Sequence, residues 1–157
     1  MKEYIELKIP SKPEFVGIVR LTLSGIASRM GYSYEDIEDL KIATSEACTN
    51  AVYHAYSGSN EGEITIGFGI FVNYLEITVS DNGKSFDVDE MKESIGPYDR
   101  STSIDKMSEG GLGLYLIETL MDDVQIKNDS GVSVLMTKHL PREQVGSDEE
   151  SISTNRE

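Results

Sequence analysis

The sequence predicts an α+β fold, a two-layer sandwich in which a mixed, mostly antiparallel sheet carries its helices on one face. Three observations predict it. Apolar residues recur with a period of two in five short stretches and at helical spacing in three others. Four of the five strands come in pairs joined by turn residues. The order strand, two helices, two strands, lid, helix, two strands then leaves a sheet with one covered face as the simplest way to bury every stripe.

Residues 4–9 place Ile5, Leu7 and Ile9 on one side and Glu6 and Lys8 on the other, and Pro10 ends this strand. Ser11 is positioned to cap a helix with Pro13 and Glu14 in its first turn, and Phe15, Val19, Leu23, Ile26 and Met30 recur along it until Gly31. Val16, Ile18 and Leu21 fall off that stripe, so the helix is apolar more widely than one core contact needs, and is either sandwiched in the domain or covered by a partner. A second helix is predicted over residues 34–56, with Ile37, Leu40, Ala43, Ala47 and Ala51 on one side and acidic residues in the first turn, where the helix dipole favours them. Ser57-Gly58 ends it. Ile64, Ile66, Phe68 and Ile70, then Leu75, Ile77 and Val79, alternate in two strands that turn near Asn73, an antiparallel hairpin.

From residue 82 to 109 the periodicity disappears over a stretch longer than a plain connection, which marks a functional lid at about 82–110. A short apolar helix over residues 112–121 follows, then strands carrying Val124 and Ile126, and Val132, Val134 and Met136, around a turn at Asp129-Ser130-Gly131. Residues 1–141 therefore read as one domain, and 142–157 as an acidic, disordered tail.

Composition narrows the class. The chain has 157 residues, 38% of them apolar, enough for a real core, so a disordered or fibrous chain is excluded. Its formal charge of -14 repels phosphate backbones and anionic membranes, so no direct nucleic-acid or membrane partner is expected. Cys48 is the single cysteine, without a disulfide mate or metal-ligand spacing, as in a reducing cytosol. The start lacks a signal-peptide pattern and no apolar run suits a membrane helix, so a cytoplasmic location is expected.

Three segments can carry chemistry. Glu46, Asn50 and His54, four apart, advance about 40° per step and form one polar ridge beside the apolar stripe. Ser80-Asp81-Asn82-Gly83 takes an acidic residue off a strand end into a glycine turn. Glu109-Gly110-Gly111-Leu112-Gly113-Leu114 opens a helix with three glycines, where backbone N–H groups and the dipole can hold phosphate. Taken singly, these are also what a solvated helix face, an ordinary Asp turn and a loop-to-helix junction look like. The sequence has no G-x-x-x-x-G-K-[ST] loop, no strand before its glycines and no ordinary protein-kinase signature.

In this order the segments resemble the nucleotide site shared by histidine kinases, type II topoisomerases, Hsp90 and mismatch-repair ATPases, whose fold is the Bergerat, or histidine-kinase-like ATPase, fold. Glu46-x-x-x-Asn50-x-x-x-His54 resembles the asparagine box, Asp81-x-Gly83 the first glycine box and Gly111-x-Gly113 the second. Ser45-Glu46-Ala47-Cys48-Thr49-Asn50-Ala51-Val52 and Gly83-x-x-Phe86-Asp87 are similar, more narrowly, to the small bacterial anti-sigma factors that are also serine-protein kinases. Two departures stand out. Ser85 occupies a place where histidine kinases have glycine, which favours the anti-sigma branch, and Glu109 stands where some kinases of that branch carry a basic residue. The cation that steadies the transferring phosphoryl group is left unassigned, with Lys106 and Arg100 as candidates.

The resemblance implies ATP and Mg²⁺ as cofactors and a role for each matching residue. Asn50 would give an oxygen to Mg²⁺ and Glu46 would act as the base for a serine hydroxyl. Asp81 would accept from the adenine amino group, with Gly83 allowing close approach. Gly110, Gly111, Leu112 and Gly113 would bring N–H donors to the phosphates, Ser133 aligns with a family threonine near the adenine, and His54 is a packing residue rather than a ligand. It also implies the partners: an alternative sigma factor of the general-stress, sigma-B type, held away from RNA polymerase; a small anti-anti-sigma antagonist of STAS type, inactivated by serine phosphorylation; and a second copy in a homodimer. The other reading is a nucleotide-dependent binding module with little or no kinase activity. Arg20, a lone cation among Val16, Val19, Leu23 and Ser24, either makes a structural salt bridge or belongs to a surface that both partners share.

Overall fold

The computed structural model describes residues 3–56, 62–81, 96–97, 111–127 and 133–141. Six strands form one sheet in the order β1-β2-β3-β6-β5-β4: β1 (Glu3–Pro10), β2 (Glu63–Ile70), β3 (Tyr74–Ser80), β4 (Gly96–Pro97), β5 (Asp123–Lys127) and β6 (Ser133–His139). Every ladder among the described residues is antiparallel, where the sequence reading expected a mixed, mostly antiparallel sheet. Two helices in succession return the chain to the end where β1 stopped, so β2 must run back along it. β3 and β5 each pair antiparallel with β6, which lies between them, so these two run parallel to one another without touching.

β4 is a departure from expectation, because Gly96 and Pro97, inside the stretch read as an irregular lid, pair with Ile126 and Gln125. The rest of that stretch, the turn at 128–132 and the tail beyond Pro141 lie outside the described residues.

The first helix begins differently from its sequence reading. Ser11 does not cap it: its backbone N–H extends the β1–β2 ladder to the Gly62 carbonyl at 2.8 Å, which turns its side chain into the protein. A single 3₁₀ turn, Pro13–Phe15, comes first, and α1 runs Val16–Met30. The tighter 3₁₀ winding shifts the register, so Val16, read as off the stripe, is buried with Val19, Leu23, Ile26 and Ala27, while Ile18 and Leu21 remain exposed. Gly31 ends α1 at φ 96°, a left-handed conformation that frees the N–H groups of Gly31 and Tyr32 to close back on the Ala27 carbonyl, both at 3.2 Å. Ser33 is the cap of the next helix, accepting from Asp36 N–H at 3.1 Å. That helix, α2, runs Tyr34–Tyr56.

The next described helix, α3 (Gly111–Leu120), joins the same layer. Leu40, Ala43, Ala47 and Ala51 of α2, Leu23 of α1 and Ile117 of α3 meet Ile64, Ile66, Phe68, Leu75, Ile77, Val134 and Met136 in one core. The alternate residues of the same strands, among them Thr65, Thr78, Ser80, Ser133, Leu135 and Thr137, face away from the helices. On that side Gly67 matters: a Cβ there would meet the Tyr4 and Thr78 hydroxyls. No helix among the described residues is long and apolar enough to cross a membrane.

Burial pushes the Cys48 thiol up to about 12 from its usual value near 9, and raises Tyr32 and Tyr4 as well. These groups stay protonated in the native chain while the unfolded chain loses their protons. Stability is therefore expected to hold below pH 9 and to fall as pH rises towards 12. Urea unfolding at pH 8 and pH 10.5 checks this; equal midpoints would contradict it.

Candidate functional site

α2 supplies the centre of the site. Its apolar side is pinned to the core by Ala43, Ala47 and Ala51, which fixes the rotation of the helix and directs the neighbouring ridge of Glu46 and Asn50 towards α3. There Gly113 lies against both side chains. A Cβ at Gly113 would stand 3.0 Å from Glu46 Oε2, 3.3 Å from Asn50 Nδ2 and 3.6 Å from Asn50 Oδ1. A side chain at this position would press on both, so glycine lets them keep their places.

This contact joins two segments that are more than sixty residues apart in the sequence. Helix geometry leaves the N–H groups of the first turn of α3 without a partner inside the helix, and they come at the end of α3 that meets Glu46 and Asn50. The Asn50 amide nitrogen is buried and has no hydrogen-bond partner among the described residues. A buried donor left so is costly and is completed by water, by a ligand or by a residue outside those described. Hard oxygens from Asn50 and Glu46 beside a helix N-terminus suit a phosphate-bound cation that keeps most of its waters. Among the described residues no group of three or more His, Cys, Asp or Glu could hold a metal by itself.

Asp81 follows the last residue of β3 and is half-buried. Val79 points into the core and Ser80 to the opposite side, so the period of two returns Asp81 to the side of the helices. If Asp81 has the adenine role that the resemblance implies, Asp81→Ala is expected to cost about 1.5–3 kcal/mol of ATP affinity, the range for a hydrogen bond to a charged group. Calorimetric titration with ATP and GTP measures it, and unchanged affinity and selectivity would remove Asp81 from the site.

Ser133 is placed elsewhere. It pairs with Ser80 across the β3–β6 ladder, and its hydroxyl donates to Ser80 Oγ at 3.3 Å on the side facing away from the helices. Alternation is the cause, since Val134 and Met136 must enter the core. Gly111 and Leu112 open α3, and His54 lies near the end of α2. Gly83, Gly110, Lys106 and Arg100 lie outside the described residues. Arg20 is exposed on α1 and forms no ion pair among the described residues, so the salt-bridge reading finds no partner there.

A model of the histidine kinase-like ATPase domain matches residues 9–138, a span that holds Glu46, Asn50, Asp81 and the glycine turn. The chain belongs to this family. Within it, the chain is 62% identical over 143 residues to a serine-protein kinase RsbW of Bacillus velezensis, covering 91% of this chain and 89% of that one. The RsbW of Bacillus subtilis is 60% identical, covering 93% and 91%, and that of Oceanobacillus iheyensis is 55% identical, covering 97% and 96%. A crystal structure of the RsbU and RsbW domains of a Mycobacterium tuberculosis protein superposes with a TM-score of 0.62 at 19% identity, over 89% of this chain and 34% of that one. At that identity the likeness speaks for the fold alone.

Proposed function

We propose that this protein is an ATP-dependent serine-protein kinase that also sequesters an alternative sigma factor of the general-stress type, and that its phosphoryl acceptor is a serine of the small antagonist that releases sigma. The observation that carries the catalytic part is the convergence of Glu46 and Asn50 on Gly113 at the start of α3. The serine-protein kinase names of the relatives at 55–62% identity support it. The regulatory part rests on the resemblance of the three boxes to kinases that are also anti-sigma factors.

In this reading Glu46 accepts the proton of the serine hydroxyl as that oxygen bonds to phosphorus and the bond to the ADP oxygen breaks. Asn50 would hold Mg²⁺ through its Oδ1 and so help to orient the phosphates. Asp81 accepts from the adenine amino group, with Gly83 beneath the ring, and Gly110, Gly111, Leu112 and Gly113 present N–H groups to phosphate. When bound, Mg·ATP supplies the phosphoryl group and neutralises part of its developing charge. The cell compartment is the cytoplasm, where sigma and RNA polymerase reside, and the working form is a homodimer.

Arg20 completes the proposal on the partner side. It lies on the outward side of α1 with Leu21, 77% exposed, and Ile18, and a planar guanidinium beside exposed aliphatic groups suits a carboxylate of a protein partner. Arg20→Glu is expected to weaken binding of sigma and antagonist by about tenfold or more, ~1.4 kcal/mol, with ATP affinity unchanged. Titrations against each partner and against ATP decide it; full partner affinity would take Arg20 off the surface.

Labelled ATP incubated with the purified protein and its antagonist tests the catalytic reading. Label on an antagonist serine is expected, and nucleotide binding without transfer would leave a binding module in place of a kinase.

A further inference from the structure

Lys138 has no part in the nucleotide boxes, yet it ties together the helices that carry them. It is the penultimate residue of β6, its side chain is 13% exposed, and its Nζ donates to the carbonyl of Leu120, the last residue of α3, at 2.7 Å. The same Nζ lies 3.9 Å from Asp36 Oδ1 and 4.0 Å from Asp39 Oδ2, in the first turns of α2. A cation at a helix C-terminus, facing carboxylates at another helix's N-terminus, has favourable partners on both sides.

The spacing links this tie to the site. Leu120 is seven residues beyond Gly113 on α3, and Asp39 is seven residues before Glu46 on α2. At 1.5 Å per residue both intervals are about 10 Å, so two antiparallel helices meet at two points of equal separation, Gly113 on Glu46 and Lys138 between Leu120 and Asp39. The Lys138 end of α3 is further stitched to β6: Asp122 N–H donates to the Thr137 carbonyl at 3.0 Å, and His139 N–H donates to Asp122 Oδ2 at 2.6 Å. Beneath it the Tyr32 hydroxyl donates to the Lys138 carbonyl. α3 is thus a lever anchored at its C-terminal end, with the glycine turn at the other.

We infer that Lys138 is a positioning residue for phosphotransfer: by joining the C-terminal end of α3 to the start of α2, it sets the angle at which the glycine turn meets Glu46 and Asn50. This rests on the nucleotide-site reading proposed above. Loss of the tie should let α3 tilt, and over a lever of about 10 Å a tilt of a few degrees moves Gly113 by a fraction of an ångström, enough to change its fit against the Glu46 carboxylate.

The test compares Lys138→Met, which keeps the buried stem, with Lys138→Arg, which can span the same acceptors. Each is titrated with Mg·ATP, and transfer to the antagonist is measured at saturating ATP, well below the melting temperature. Lys138→Met is expected to lose at least tenfold in ATP affinity or in the transfer rate of the bound complex, and Lys138→Arg to recover most of it. If Lys138→Met does not fold, the double variant Asp36→Asn/Asp39→Asn, which keeps the bond to Leu120, takes its place with the same expected direction. Affinity and rate both within twofold of the parent, in whichever variant folds, would overturn the inference, as would Arg failing to rescue a defect seen with Met. Asn50→Ala is the separate control: it should weaken Mg·ATP far more than metal-free ATP, and equal weakening would reject the site reading itself, whatever Lys138 does.

Discussion

Glu46→Gln is expected to lower phosphotransfer by about 10²–10⁴-fold, the usual contribution of a positioned general base, while ATP affinity stays within about twofold. The amide keeps the size of the side chain and one oxygen, so the packing against Gly113 is preserved and the fold is untouched. What disappears, on the proposed role, is the group that would take the serine proton. Single-turnover transfer from bound ATP separates the two effects. A loss of nucleotide binding with the rate per bound complex intact would move Glu46 out of the base role and into binding.

Gly113→Val is expected to damage both steps. Even the Cβ would stand 3.0 Å from Glu46 Oε2 and 3.3 Å from Asn50 Nδ2, and the two methyl groups reach further, so the carboxylate, the amide or α3 itself must give way. Misplacing reacting groups by about 1 Å can cost about 10²-fold in rate, and here the amide proposed to hold the metal would be displaced together with the proposed base. The helix itself does not suffer, because valine is a better helix former than glycine by a few tenths of a kcal/mol. Near-native circular dichroism and melting, with ATP affinity and transfer each down by about 10²-fold, is the expected pattern. A fully active Gly113→Val would show that α3 does not press on the site.

Much of this was legible from pattern alone. The apolar stripes of α1 beyond its first turn, of α2 and of the four long strands after β1 appear where periodicity puts them, because each has to face the same core. The ridge of Glu46 and Asn50 could be drawn from helix geometry, but its partner could not, since no local rule brings residue 113 to residue 46. Ser133 illustrates the limit of matching by alignment. The face of a strand residue is decided by its neighbours, and Val134 and Met136 claim the core. Ser11 failed as a cap because β1 pairing extends one residue past Pro10, whereas Ser33, three residues before Asp36, has the spacing of a capping residue and performs that role. Lys138 was invisible: its acceptors come from the end of α3 and the start of α2, far apart in sequence.

The measurement that bears most directly on the claim that α2, the end of β3 and the glycine turn of α3 build one Mg·ATP site is a crystal structure grown with Mg²⁺ and a non-hydrolysable ATP analogue. Asn50 Oδ1 is expected on the metal at about 2.0–2.1 Å, Asp81 on the adenine amino group, and the phosphates at the first turn of α3 with the Glu46 carboxylate open to solvent beside them. A nucleotide held away from Asn50, or on the side of the sheet that carries Ser80 and Ser133, would contradict it.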